Sequence, residues 1–282
     1  MRVLVTGGSG QLAQAIRLLW SKHELVLPDE AVLDLGRPEA IHSVAAEVRP
    51  DVLINCGAYT QVDRCETEEA LALRINGTAV GWLADACETQ GVLLIQISTD
   101  YVFDGTGTRP YREDDPTNPM SVYGHPNLEG ERQAARCTRH LIARTSWLYD
   151  AWGKNFLNTM LNAAAQGRAL RVVDDQRGAP TTCRALARQL LVAAEQNWRG
   201  IVHTTCQGET TWHGFAKAIF AAKGIQADLS PCTSAEYLTP ACRPAYSMLD
   251  GARRRSLGAD LMPDWKDALA DVIAHPEPEK EA

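Results

Sequence analysis

The chain is short of positive charge. Its 28 Lys and Arg stand against 35 Asp and Glu, a formal net charge of −7 over 282 residues. A general nucleic-acid surface needs clustered cations to neutralise phosphates, so no nucleic-acid partner is expected. No apolar run approaches the ~20 residues that span a bilayer, so no membrane partner is expected either. The first residues enter a strand-like segment without a charged leader and apolar signal core, and the expected localisation is cytoplasmic. Eight cysteines occur, at 56, 65, 87, 137, 183, 206, 232 and 242, and none has C-x-x-C spacing. Cys56, Cys87 and Cys137 read as small buried hydrophobes, and no metal site is expected. Internal repeats are lacking. The apolar share of 45% is ordinary for a globular protein able to bury a core.

What is present begins at the first residue. Met1 to Thr6 (MRVLVT) reads as a strand and Gln11 to Trp20 as a helix, with Gly7-Gly8-Ser9-Gly10 between them. Thr6-Gly7-x-x-Gly10-x-x-Ala13 in that setting is a dinucleotide-binding fingerprint. Gly7 permits the turn, Gly10 lets a pyrophosphate approach the backbone, and Ala13 allows close helix–strand packing. Glu24 to Leu27 reads as a second strand, followed by Asp29 and Glu30. A carboxylate there accepts from an adenosine ribose 2′-hydroxyl and repels a 2′-phosphate. The expected cofactor is NADH or NADPH, with the acidic pair favouring NADH. Helices are expected over 38–48 and 71–88, and strands over 51–55, 92–98 and 140–145. Strands alternating with helices imply a Rossmann-type, doubly wound parallel α/β sheet. The expected division is a dinucleotide-binding domain over 1–147, with some later segments returning to it, and a mainly substrate-binding α/β part over 148–282.

The stretch from Ile95 to Glu131 carries the chemistry. An apolar strand turns polar at Ser98-Thr99-Asp100, and Tyr123 follows a loop rich in Gly, Pro and Asp. A hydroxyl at a strand's C-terminal edge and a tyrosine at a helix start suit carbonyl reduction. The hydroxyl polarises the carbonyl and the phenol supplies a proton as the alkoxide forms. STDYVFDG, the YG of Tyr123-Gly124 with LEGE after it, and RTSWLY (Arg144 to Tyr149) together resemble the dTDP-4-dehydrorhamnose reductase family of extended short-chain dehydrogenase/reductases. The likeness runs from TGGSGQL to RPAYSMLD near residue 250.

The resemblance implies reduction of the C4 ketone of an NDP-4-keto-6-deoxyhexose, above all dTDP-4-dehydrorhamnose to dTDP-L-rhamnose. Carried over by position, Thr99 meets the ketone and Tyr123 protonates its oxygen. Gly7, Gly10, Gln11, Leu12, Asp29, Asp34, Leu35, Gly57, Ala58, Tyr59, Tyr123 and Asn127 are expected along the cofactor. Val62, Thr99, Asp100, Tyr101 and Trp147 are expected at the nucleotide-sugar substrate, between the two halves. The family likeness also allows a homodimer and a divalent ion at a subunit interface. DQRGAPT (174–181), Thr211-Trp212-His213 and Arg243-Pro244 with Ser247 resemble the family's substrate half.

One position departs from the family. Its tyrosine motif is Y-x-x-x-K, and here Asn127 stands where the lysine belongs. Asn127 can donate to a ribose hydroxyl but supplies no charge to lower the tyrosine pKa. Because a reductase needs the protonated phenol, the expected outcome is a slower reductase, with oxidation harmed more. His125 and Lys154 are candidate substitutes for the missing cation, although each reads more simply as a surface residue. Pro126 lacks an N–H, and inside a helix its ring would meet the carbonyl of Val122. Regular helix is therefore expected to begin near Pro126 and not at Val122, displacing Tyr123 relative to Asn127. Two alternatives remain open: a related 4-ketoreductase acting on another nucleotide sugar, and a non-catalytic dinucleotide-binding regulatory protein. The run Arg253 to Arg255 reads as a solvated helix face.

Overall fold

The computed structural model describes residues 1–276. In chain order the first half comprises β1 (Arg2–Thr6), α1 (Gln11–Leu19), β2 (Glu24–Val26), α2 (Pro38–Val48), β3 (Val52–Asn55), α3 (Val62–Cys65), α4 (Glu69–Leu73), a π-helical turn (Arg74–Thr78), α5 (Ala79–Gln90), β4 (Leu93–Thr99), a 3-10 turn (Asp100–Val102), α6 (Gly124–Ala134) and β5 (His140–Thr145). The second half comprises β6 (Leu148–Tyr149), α7 (Phe156–Ala165), β7 (Leu170–Val173), β8 (Arg177–Gly178), β9 (Thr181–Thr182), α8 (Cys183–Glu195), β10 (Gly200–His203), β11 (Thr210–Thr211), α9 (Trp212–Lys223), β12 (Leu229–Cys232), α10 (Ala252–Ser256) and α11 (Trp265–Ala274).

Six strands form one parallel sheet in the order β10-β5-β4-β3-β1-β2. Successive strand residues face opposite sides, so the apolar runs supply two cores. Val3, Val5, Ile54 and Ile95 pack with Leu12 and Ile16 of α1 and Leu186 and Leu190 of α8. Leu4, Leu53 and Leu94 pack with Ile41 of α2, Leu83 of α5 and Ala134 of α6. This is a doubly wound sheet of the Rossmann type. Its order reverses between β1 and β3, and the ends of those strands open a crevice there.

The second half builds its own core from α7, α9 and α11, around Tyr149, Leu157, Phe215 and Trp265. Three two-stranded pairings, β6 with β9, β7 with β12 and β8 with β11, join it together. The chain also returns to the first sheet, because α8 packs on α1 and β10 adds the sixth strand.

Three local expectations change, and one strand of the sheet was not anticipated. The strand Gly200–His203 has only four residues, too short for its period to stand out in the sequence. The helix expected over 71–88 is interrupted by the π-helical turn, where Asn76 leaves the regular ladder to bond the loop after β3. Arg254 is not on a solvated face. It is 1% exposed, and bonds Asp260 and the carbonyl of His203, fastening α10 to the end of β10. Cys56 is only partly buried, whereas Cys87 and Cys137 are core residues. The sequence of the tail, HPEPEKEA, reads as a frayed end, and its residues 277–282 lie outside the described residues.

Candidate active site

The turn after β1 is shaped by the nearness of the loop after β3. Gly7 has φ +64°, and a Cβ on it would lie 2.7 Å from Gly57 Cα. Only glycine meets both demands. Across the strand ends, Thr6 Oγ1 donates to Asn55 Oδ1 and accepts from Gly57 N–H (3.0 Å), and Asn55 Nδ2 donates to Gln96 (2.8 Å). This buried polar chain ties β1, β3 and β4 together below the crevice. The helix α1 begins at Gln11 with Gly10 as its N-cap and no side-chain cap. Its first N–H groups are available to an anion such as a pyrophosphate.

The remaining residues expected along a cofactor divide by what their side chains do. Leu12 is in the core, so only its backbone faces the turn. Gln11 accepts from Asn155 Nδ2 (2.7 Å), and its carbonyl accepts from Trp152 Nε1 (3.2 Å), which brings the second half against the helix start. Asp29 is exposed beyond β2. Asp34 Oδ1 accepts from Gly36 N–H (2.7 Å), and Leu35 is buried against Gly57. Ala58 is exposed. Tyr59 is held by Asn76, whose Oδ1 accepts from its N–H (2.7 Å) and whose Nδ2 donates to its carbonyl (3.0 Å), while its phenol donates to Glu68.

At the end of β4, Thr99 caps the 3-10 turn by accepting from Tyr101 N–H (3.2 Å), and its hydroxyl donates to Asp100 Oδ1 (3.0 Å). Asp100 is 1% exposed, Oδ2 has no hydrogen-bond partner, and burial pushes its carboxyl up to about 6. Opposite stands Tyr123, its ring edge-on to Tyr101 with centroids 5.3 Å apart. Gly124 makes this approach possible, since a Cβ there would collide with the Tyr101 carbonyl oxygen. Burial, then the Asp100 charge, raises the Tyr123 pKa; hydrogen bonding with Thr99 and Asn127 works the other way. Burial likewise raises Tyr101.

The helix carrying this tyrosine starts at Gly124, two residues before Pro126 and two after Val122. Pro126 occupies the first turn, where a missing N–H costs nothing. The displacement expected of Tyr123 does not occur. Tyr123 has helical φ −71° and ψ −41°, and Asn127 Nδ2 donates to its carbonyl (2.8 Å) across one turn. One N–H of that amide is therefore engaged with the helix itself. His125 and Lys154 are both exposed.

Ion pairs hold the parts in register. Arg144 on β5 meets Glu131 on α6 through two bonds of 2.8 and 2.7 Å, both side chains being fully buried, and Ser98 donates to the same carboxylate. Asp63, next to Val62 at the start of α3, pairs with Arg243 (3.0 and 2.9 Å). Trp147 has φ +48° and stacks on Trp212 at 3.6 Å, so one face of its indole is covered.

A model of the family described as the RmlD substrate-binding domain matches residues 1–277. This chain belongs to that family. A dTDP-4-dehydrorhamnose reductase of Burkholderia thailandensis is 41% identical, the match covering 95% of this chain and 97% of the relative. The crystal structure of a dTDP-4-dehydrorhamnose reductase from Clostridium acetobutylicum superposes with a TM-score of 0.94 at 39% identity, covering 97% of this chain and 99% of that one. One from Bacillus anthracis, solved in complex with NADP, gives 0.94 at 32% identity with the same coverage.

Within this family fold, Thr99, Asp100, Tyr101 and Tyr123 form one cluster, and Gly7, Gly57 and the start of α1 form another at the switch point. Asn76, Asn55 and Glu131 were missed as site supports. An Asn or Glu inside a helical or strand-like stretch was the available signal, because such a residue is buried only with partners.

Proposed function

We propose that this chain uses NADH or NADPH to reduce the C4 ketone of an NDP-4-keto-6-deoxyhexose, with dTDP-4-dehydrorhamnose and dTDP-L-rhamnose as the substrate–product pair. The observation that carries this reading is the packing of Tyr123, at the start of α6, edge-on against Tyr101 (5.3 Å) in the turn that Thr99 caps at the end of β4. The Gly7 turn and the uncapped start of α1 suit a dinucleotide's pyrophosphate, so the fold and the cofactor agree. When bound, the reduced nicotinamide supplies a hydride to the sugar carbon. Tyr123 supplies the proton to the ketone oxygen. Burial keeps that phenol protonated at neutral pH, the form an acid requires. Oxidation of the alcohol needs the phenolate instead. Without a lysine at 127 no ammonium stabilises it, so reduction is the favoured direction. The exposed carboxylate of Asp29 beyond β2 favours the 2′-hydroxyl of NADH over a 2′-phosphate. Trp147 and Tyr101 present aromatic surface for the sugar side of the site.

The test is oxidation of NADH and NADPH by the purified chain with dTDP-4-dehydrorhamnose, for wild type and Tyr123→Phe. Turnover that Tyr123→Phe lowers by at least a hundredfold supports the assignment. Cofactor binding without sugar-dependent oxidation, across several 4-keto sugars, would favour a non-catalytic protein.

A further inference from the structure

A threonine hydroxyl has one proton, and that of Thr99 points to Asp100 (3.0 Å), while its oxygen already accepts from Tyr101 N–H (3.2 Å). So engaged, Thr99 has no proton to offer a ketone. Asp100 is buried and its Oδ2 lacks a partner. A buried carboxylate left in this state is costly, and the neutral acid is less so.

The groups facing this carboxyl come from three elements. From its own turn come the Thr99 hydroxyl and the backbone N–H groups of Asp100 and Tyr101; from the C-terminal segment comes the Ser247 hydroxyl. From the start of α6 comes the Tyr123 phenol, which Cys65 of α3 also faces. Arg243 approaches Tyr101 but is paired with Asp63. At the position of the family's lysine stands the neutral Asn127, its amide on the Tyr123 carbonyl. Among the described residues, the Asp100 charge therefore acts on Tyr123 with no cation named beside the phenol to offset it.

We propose that Asp100 is a positioning residue whose protonation sets both the donor direction of Thr99 and the acidity of Tyr123, so that this chain reduces its ketone faster when Asp100 is neutral. The inference rests on the reductase reading above. With Asp100 protonated, its O–H donates to Thr99 Oγ1 and the Thr99 proton turns to the ketone. The new C–H bond uses the cofactor's hydride, the carbonyl π pair takes the Tyr123 proton, and the resulting phenolate regains a proton from water. Asp100 keeps its own proton throughout. Loss of its charge also makes Tyr123 a stronger acid. Burial places the change near pH 6, within reach of an assay.

The experiment is the pH profile of kcat from 5 to 8.5 at saturating sugar and cofactor, with a ¹³C-carboxyl NMR titration of the full chain. In wild type kcat is expected to fall at least threefold as pH rises, with a midpoint near 6. Asp100→Asn should abolish that step, and the carboxyl resonance that is missing from its spectrum identifies Asp100. Asn127→Lys, which leaves the carboxyl in place, should move the midpoint below 5, and it keeps the test open should Asp100→Asn fail to fold. A flat wild-type profile, a step that survives in Asp100→Asn, or a carboxyl titrating below 4.5 overturns the proposal and leaves the reductase reading standing. A total lack of ketone reduction overturns both.

Discussion

Removing Glu131 should unsettle the chain more than removing any exposed carboxylate. In the native structure its two oxygens take both bonds from Arg144 and one from Ser98, with Arg144 2% exposed. In Glu131→Ala the guanidinium keeps the Glu113 carbonyl at 3.5 Å, the ring of His203 and the face of Phe103 at 5.1 Å, with no carboxylate left beside it. Breaking a buried pair from one side costs roughly 3–5 kcal/mol, because the remaining charge is neither paired nor solvated. At about 2–4 °C per kcal/mol for a domain near this size, the thermal midpoint should fall by about 10 °C. The cost belongs to the stranded charge, so Glu131→Leu combined with Arg144→Met should lose less than Glu131→Ala alone. Differential scanning calorimetry at pH 7 on the single and double variants decides it. A Glu131→Ala variant within 1 kcal/mol of wild type, or a double variant that loses as much as Glu131→Ala or more, would refute the reasoning. The pair also joins the helix of Tyr123 to the strand ending at Thr99, so kcat should fall along with stability.

Three further outcomes follow from the same geometry. Gly7→Ala puts a Cβ 2.7 Å from Gly57 Cα at φ +64°, and isothermal titration calorimetry should show NADH affinity reduced at least tenfold. Asp100 binds its proton up to about pH 6 when folded but only to about 3.9 when unfolded, so the folded state holds more protons in that window and stability falls as pH rises through it. The loss is about 3 kcal/mol, and urea denaturation of Asp100→Asn at pH 4 and pH 7 should lack it. Asn127→Lys places an ammonium near the phenol, and one pKa unit is about 1.4 kcal/mol, a factor of ten. Steady-state assays in both directions should show a larger gain in alcohol oxidation than in ketone reduction.

The parts of the fold legible in the sequence were those set by local rules. The Gly7 turn has to be a glycine for its backbone, and Pro38–Val48 carries both its proline start and its apolar face within eleven residues. Tyr123 and Thr99 could be singled out because polar residues interrupt apolar or turn-rich stretches there. What stayed hidden depends on partners distant in the chain. Arg254 looks like its neighbours Arg253 and Arg255 until Asp260 and the end of β10 surround it. Asn76 breaks its helix for the sake of Tyr59, seventeen residues earlier. Pro126 was recognised as a disturbance, but its place in the first turn, where it is harmless, depended on where the loop from Ser98 allowed the helix to start. The direction of the Thr99 hydroxyl could not be read from any motif, since it follows from the burial of Asp100.

The most direct measurement follows the hydrogen itself. NADH carrying deuterium at the nicotinamide C4, on the transferred face, is incubated with the protein and dTDP-4-dehydrorhamnose, and the sugar product is examined by mass spectrometry and NMR. One deuterium at the sugar C4, absent with Tyr123→Phe, is the result expected of a ketone reductase built on Tyr123. Unchanged substrate with full retention of the label in the cofactor contradicts it.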